Sequence, residues 1–155
     1  VGERFRNNEV FVPEVLLAAR AMNAGTELLK PYMADSGVAP LGRACLGTVK
    51  GDLHDIGKNL VASMFEGCGF EVINLGVDAS SDKFISAALE NKADIICMSA
   101  LLTTTMNYMK EVVAAVEASE LKGKEKIMVG AIGADAYTSN ANAAVVMAKK
   151  LIAAN

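Results

Sequence analysis

The chain has no tryptophan, a single histidine, three cysteines and three prolines in 155 residues. The cysteines, Cys45, Cys68 and Cys97, are odd in number and lie within or beside apolar runs. That argues against a disulfide framework and for a reducing, cytoplasmic setting. A net charge of −3 leaves no basic footprint for nucleic acid or an anionic membrane surface. No apolar run approaches bilayer length, and the first residues are not a signal peptide. The opening Val1-Gly2-Glu3 lacks an initiator Met, so a piece of a longer protein is expected. What is present, 52% hydrophobic and 21% charged residues, indicates a globular core without disordered character. The length suits one domain plus a small appendage.

The pattern changes over 35–43, where Asp35-Ser36-Gly37 and Pro40-Leu41-Gly42 punctuate it. Residues 1–34 read as helical: Pro13 fits a first turn, and Val15, Leu16, Ala19 and Met22 follow at helical spacing. Gly25 and Pro31 weaken the later turns. Two helical segments cannot bury their faces alone, so they must dock on something. After residue 43, apolar strands and helical patterns alternate. Strands are expected over 44–49, 71–75, 94–99 and 126–130, with a short fifth near Ala136-Tyr137. Helices are expected over 57–66, 81–91 with Ser81 as N-cap candidate, 104–119 and 141–154. Strict alternation implies a parallel sheet covered on both faces. The fold class is α/β: a flavodoxin-like, Rossmann-type five-stranded sheet over 44–155, a linker over 35–43 and a helical cap over 1–34.

One place breaks the pattern. Between the fourth and fifth strands only Ala131-Ile132-Gly133-Ala134-Asp135 remain, whereas a parallel crossover needs about a dozen residues. Either the segment is deleted, or residues between Gly130 and Ala131 are missing from the chain as written. The second is favoured, because a deletion leaves the fifth strand without a route back to the sheet.

The sole histidine, His54, stands in Gly51-Asp52-Leu53-His54-Asp55-Ile56-Gly57-Lys58-Asn59, directly after the first strand. Imidazole is the commonest ligand for a transition metal, and a carboxylate two residues away can fix its tautomer. In an open sheet ordered 2-1-3-4-5, ligands bind beyond the carboxyl ends of strands 1 and 3. That topology brings Asp52 and His54 against the loop Ser99-Ala100-Leu101-Leu102-Thr103-Thr104-Thr105. A helix-capping Asp with an incidental His, beside a threonine N-cap, is the bland alternative.

The stretch from Gly47-Thr48-Val49-Lys50 through Asn59 resembles the corrinoid-binding motif of cobalamin-dependent methyltransferases, the class containing methionine synthase and the corrinoid proteins of methylotrophic metabolism. The resemblance implies cobalamin or a related corrinoid, with His54 as lower axial cobalt ligand, Asp52 bonded to it and Thr105 completing a relay. Methionine synthase has Ser at the last position. It further implies cofactor contacts at Gly51, Leu53, Asp55 and Leu101. Ser99 and Thr103 would line the pocket of the nucleotide tail, and Gly57 would let the tail pass. Gly130 would thin the far wall, while Tyr137 and Ala141 would close the pocket. Phe11-Val12-Pro13-Glu14 and the following residues resemble the family's cap, with Phe5, Phe11 and Val12 shielding the methyl face and residues 35–43 as hinge. On pattern alone, Phe5, Phe11 and Met22 are core residues.

The function implied is a methyl carrier cycling Co(I) and methyl-Co(III), a component of a methyltransferase system rather than a stand-alone catalyst. Its partners would be a substrate-specific corrinoid methyltransferase, a second methyltransferase passing methyl to tetrahydrofolate or coenzyme M, and a reductive activating protein. Three alternatives share part of the pattern: the cobalamin module of methionine synthase, a cobalamin-dependent sensor and an adenosylcobalamin mutase subunit. The cap and the Lys58-Asn59 continuation fit a methyl carrier better than a mutase. A flavin carrier would use stacked aromatics, and the chain has no Trp.

Overall fold

The structure is a computed structural model that describes residues 1–35, 39–123, 126–128 and 141–153. Helices α1 (Gly2–Arg6) and α2 (Val12–Asp35) come first. The alternating part then runs β1 (Arg43–Thr48), α3 (Ile56–Gly67), β2 (Glu71–Asn74), α4 (Ser81–Asn91), β3 (Ile95–Ser99), α5 (Met106–Glu117), β4 (Lys126–Met128) and α6 (Ala141–Ala153). The described strands are all parallel, in the order β2-β1-β3-β4. The expected fifth strand and the anomaly at Gly130-Ala131 lie outside the described residues.

Strand periodicity explains the two cores. In β1, Ala44 and Leu46 point to one face and Cys45 to the other, and all three are buried. The first face packs Ile95 and Cys97 against Ala62 and Phe65 of α3 and Ala144, Val145 and Ala148 of α6. The second packs Ile96 and Met98 against Phe84 and Ala88 of α4 and Met109, Val112 and Val116 of α5. Gly47 is required where β1 passes Phe84, since a Cβ there would lie 2.6 Å from the ring. Both faces are apolar, so the sheet's carboxyl edge is where polar side chains gather.

Three local expectations change. Ser80, not Ser81, caps α4: its hydroxyl accepts the Lys83 N–H at 3.3 Å. Helix α2 runs unbroken through Gly25 and Pro31. Pro31 lies one turn from the helix end, where it removes a single hydrogen bond from a segment already docked on α3. Phe11 and Leu16 are exposed rather than core, while Val15 is buried and Phe5 and Met22 are half-buried. The Val12 side chain lies outside the described residues. The linker ends in contact with the domain, because the Leu41 N–H donates to the Gly69 carbonyl at 2.9 Å. No helix among the described residues is long and apolar enough to cross a membrane.

Candidate corrinoid site

The loop after β1 turns at once. The Asp52 N–H donates to the Val49 carbonyl at 3.1 Å, closing a tight turn through Lys50 and Gly51. Gly51 has φ +78°, a conformation that favours glycine. The buried Thr48 hydroxyl donates to the His54 carbonyl at 2.9 Å, pinning the far side of the loop.

Asp52 is fully buried, and its carboxylate gathers five donors. One oxygen faces the His54 backbone N–H at 3.0 Å and the His54 ring Nδ1 at 2.7 Å. The other faces the Leu101 N–H at 2.8 Å, the Leu102 N–H at 3.2 Å and the Thr105 hydroxyl at 2.8 Å. Burial alone would push this carboxyl up. Its bonds to the His54 backbone and ring, Leu101 and Thr105 outweigh that and hold it well below the usual carboxylate range. It is therefore an acceptor-only anion, which places the proton of a neutral imidazole on Nδ1 and leaves the Nε2 lone pair outward. The His54 side chain is 53% exposed.

The bland reading of these loops does not hold. Thr105 occupies the N-cap of α5, but its side chain makes no cap bond. Its single hydroxyl proton has two acceptors at 2.8 Å, the Asp52 carboxylate and the Leu102 carbonyl. Asp55 is the N-cap of α3, again without a side-chain cap bond, and its carboxylate accepts from the Asn59 amide at 2.9 Å.

The other candidates divide. Ser99 ends β3 opposite Thr48, and its carbonyl accepts the Val49 N–H at 3.0 Å. Leu53 and Leu101 are exposed on the two loops that make the site. Gly57 lies in the first turn of α3, where an added Cβ would meet nothing within 4 Å. Thr103 is exposed on the turn before α5, and no described bond joins it to His54. Gly130 and Tyr137 lie outside the described residues. Ala141 begins α6, but its side chain is outside them too. Sequence reasoning missed Thr48 and Leu102, and also Asp78, whose carboxylate accepts the Gly51 N–H at 2.7 Å. The signal for Thr48 was a hydroxyl in an apolar strand. Asp78 gave none.

These residues fit a corrinoid. One imidazole nitrogen is presented without further ligands, and among the described residues no group of three His, Cys, Asp or Glu could cage a bare ion. A single protein ligand suits a metal whose equatorial positions a macrocycle already fills. Around it, Leu53, Ile56 and Leu101 are each more than 60% exposed, an apolar rim for a flat, mostly apolar ring. Gly57 leaves space at that rim.

Known proteins resemble this chain over most of its length. A model described as a B12 binding domain matches residues 42–150, and a second of the same description matches residues 1–30. A dimethylamine corrinoid protein of Methanosarcina barkeri is 43% identical over 164 aligned residues, covering 99% of this chain and 77% of that one. As 99% of 155 residues is about 153, this chain is about eleven residues short of that aligned length. Among solved structures, a cobalamin-binding protein from Desulfitobacterium hafniense DCB-2 superposes with a TM-score of 0.81 at 32% identity, covering 97% of this chain and 75% of that one. The methanol:cobalamin methyltransferase complex MtaBC from Methanosarcina barkeri gives 0.79 at 29% identity, over 99% of this chain and 62% of that one. With its buried Asp52, its outward His54 and a match over most of its length, the chain belongs to the B12-binding domain family.

Proposed function

We propose that this chain carries a methyl group on a corrinoid between a substrate:corrinoid methyltransferase and a second methyltransferase. The observation that carries the reading is the Thr105–Asp52–His54 relay, which offers one imidazole nitrogen on an apolar rim. When bound, the corrinoid supplies cobalt that takes up a methyl group in its reduced state and yields it in its oxidised state. The protein's part would be to hold and orient the imidazole that serves the metal. Asp52 orients the His54 ring and keeps a proton on Nδ1, which leaves the Nε2 lone pair facing outward. The Thr105 hydroxyl and the backbone N–H groups of Leu101 and Leu102 satisfy one carboxylate oxygen independently of the ring, so a movement of the His54 imidazole need not carry Asp52 with it.

The first partner is a methyltransferase; MtaBC, a solved complex whose fold this chain shares, is named for such an assembly. The finer proposal adds a second methyltransferase passing the methyl to tetrahydrofolate or coenzyme M, a reductive activating protein and a cytoplasmic setting. The donor is chosen by the first partner, and the similarity to a dimethylamine corrinoid protein favours a methylated amine. Residues 1–34 are proposed as a unit that covers the methyl-bearing face, with Phe5 and Phe11 turned toward it.

Two experiments test this. In the first, the corrinoid-loaded and reduced chain is offered isotopically labelled dimethylamine with a dimethylamine:corrinoid methyltransferase. Label should appear on the corrinoid and leave when an acceptor methyltransferase is added. A chain that holds corrinoid but takes no label from any methyl donor points to a sensor instead. In the second, deleting residues 1–34 should leave the cofactor bound and speed its photolysis or oxidation. Loss of the cofactor would make the helices part of the binding site.

A further inference from the structure

The relay fixes the carboxylate of Asp52, but something must also fix the main chain that carries it. We propose that Asp78 is a positioning residue that clasps the backbone of Gly51 and Asp52 and so sets where His54 stands. Asp78 lies on the loop between β2 and α4, a different connection from the two that supply the relay. Its carboxylate accepts the Gly51 N–H at 2.7 Å, and its own N–H donates to the Asp52 carbonyl at 3.1 Å. The two bonds run in opposite directions and hold successive residues of the turn, so they resist both its tilt and its translation.

The clasp is anchored on both sides. The loop carrying Asp78 is fastened to the end of β1: the Thr48 N–H donates to the Gly76 carbonyl at 3.0 Å, and the Ala79 N–H donates to the Thr48 carbonyl at 2.9 Å. Val49 and Ala79 continue that parallel pairing as a bridge. Asp78 itself adopts φ +52°, a left-handed backbone that is uncommon for a residue with a side chain and is best tolerated by Asn and Asp. A residue kept there, with its carboxylate folded onto a neighbouring backbone N–H, is placed by its bonding rather than by local preference. The carboxylate is exposed, so its usefulness lies in an oxygen at the right position, not in its charge.

The His54 loop is thus gripped twice. Leu101, Leu102 and Thr105 hold it through the Asp52 side chain, and Asp78 holds it through the Asp52 and Gly51 main chain. With the second grip gone, the carboxylate keeps its donors, but the peptide leading to His54 can rotate and the imidazole loses its fixed reach.

Two variants separate the grip from the backbone. Asp78→Gly suits the left-handed conformation and removes the acceptor; Asp78→Asn suits it and keeps an oxygen acceptor. In the corrinoid-free chain, amide exchange at Gly51 should be at least about tenfold faster in D78G and near wild type in D78N. In the corrinoid-loaded chain at equal cofactor content, electron paramagnetic resonance of the Co(II) form should lose more than about half of its imidazole-nitrogen splitting in D78G and keep it in D78N. The inference is overturned if D78G behaves as wild type in either measurement, or if D78N loses as much as D78G. It rests on His54 as the cobalt ligand. A wild type without nitrogen splitting would sink that assignment and this role together, whereas splitting in both wild type and D78G would sink this role alone.

Discussion

The carboxyl edge of the sheet and the amino-terminal helices are built by opposite means. At the sheet edge a fully buried carboxylate is held by five donors from two loops, and a third loop clasps its main chain. Such bonds are directional, so they fix angles and reach. Helix α2 instead docks on α3 through apolar side chains, with Val15 buried and Met22 half-buried, and leaves Phe11, Leu17, Leu28, Leu29 and Tyr32 exposed. Non-directional contacts let a unit come away and return. The difference suits the two tasks proposed above: presenting one nitrogen to a metal at fixed geometry, and covering a reactive face that must later be uncovered.

The largest effect should come from breaking the rigid side. Asp52→Ala leaves the His54, Leu101 and Leu102 backbone N–H groups without their buried acceptor, and should cost about 3 kcal/mol or more of stability. Urea unfolding of the corrinoid-free chain measures it; a loss below about 1 kcal/mol would mean that water replaces the carboxylate and the site is not rigid. Breaking the other side should cost less and leave the site alone. A Cβ at Gly67 would collide with the end of the Met22 side chain, so Gly67→Val should drive Met22 to another rotamer and loosen its packing on α3 at a cost of about 1 kcal/mol. Corrinoid retention should be unchanged while photolysis quickens. If retention falls as well, the two regions are coupled and the comparison fails.

Acid offers a gentler probe. Asp52 titrates below the usual carboxylate range when folded, so the unfolded chain binds its proton first. The stability it contributes is present above about pH 4 and lost as pH falls through its folded value. Asp52→Asn should therefore show a shallower acid destabilisation than wild type in parallel unfolding curves, and coincident slopes would contradict the depressed carboxylate. The smallest effect concerns thiols. Burial pushes the Cys97 thiol up to about 12, and Cys45 is fully buried, whereas Cys68 is half-buried at the end of α3. A thiol reagent on the native chain should modify Cys68 at least about tenfold faster than the other two.

Much of this was legible in the sequence because it is local or topological. Alternating apolar runs fixed the parallel sheet, and the switch point brought the His54 loop to the Thr105 loop without any contact being known. Asp52, His54 and Thr105, which the motif and topology single out, stand within bonding distance. What was not legible depends on tertiary choice. Nothing around Asp78 reveals that its carboxylate reaches a backbone N–H 27 residues away. Helix α2 outlasts Gly25 and Pro31 because docking outweighs propensity, which no local window registers. Ser80 and Ser81 are equally good caps by type, and only backbone geometry selects Ser80. The short connection after the fourth strand was anomalous by topology, and it lies outside the described residues.

The central claim is that His54 is the protein's ligand to cobalt, and its removal tests that most directly. His54→Ala, loaded with corrinoid and poised as Co(II), should retain the cofactor but lose the nitrogen splitting that wild type shows in electron paramagnetic resonance. Splitting that persists unchanged in the variant would contradict the account.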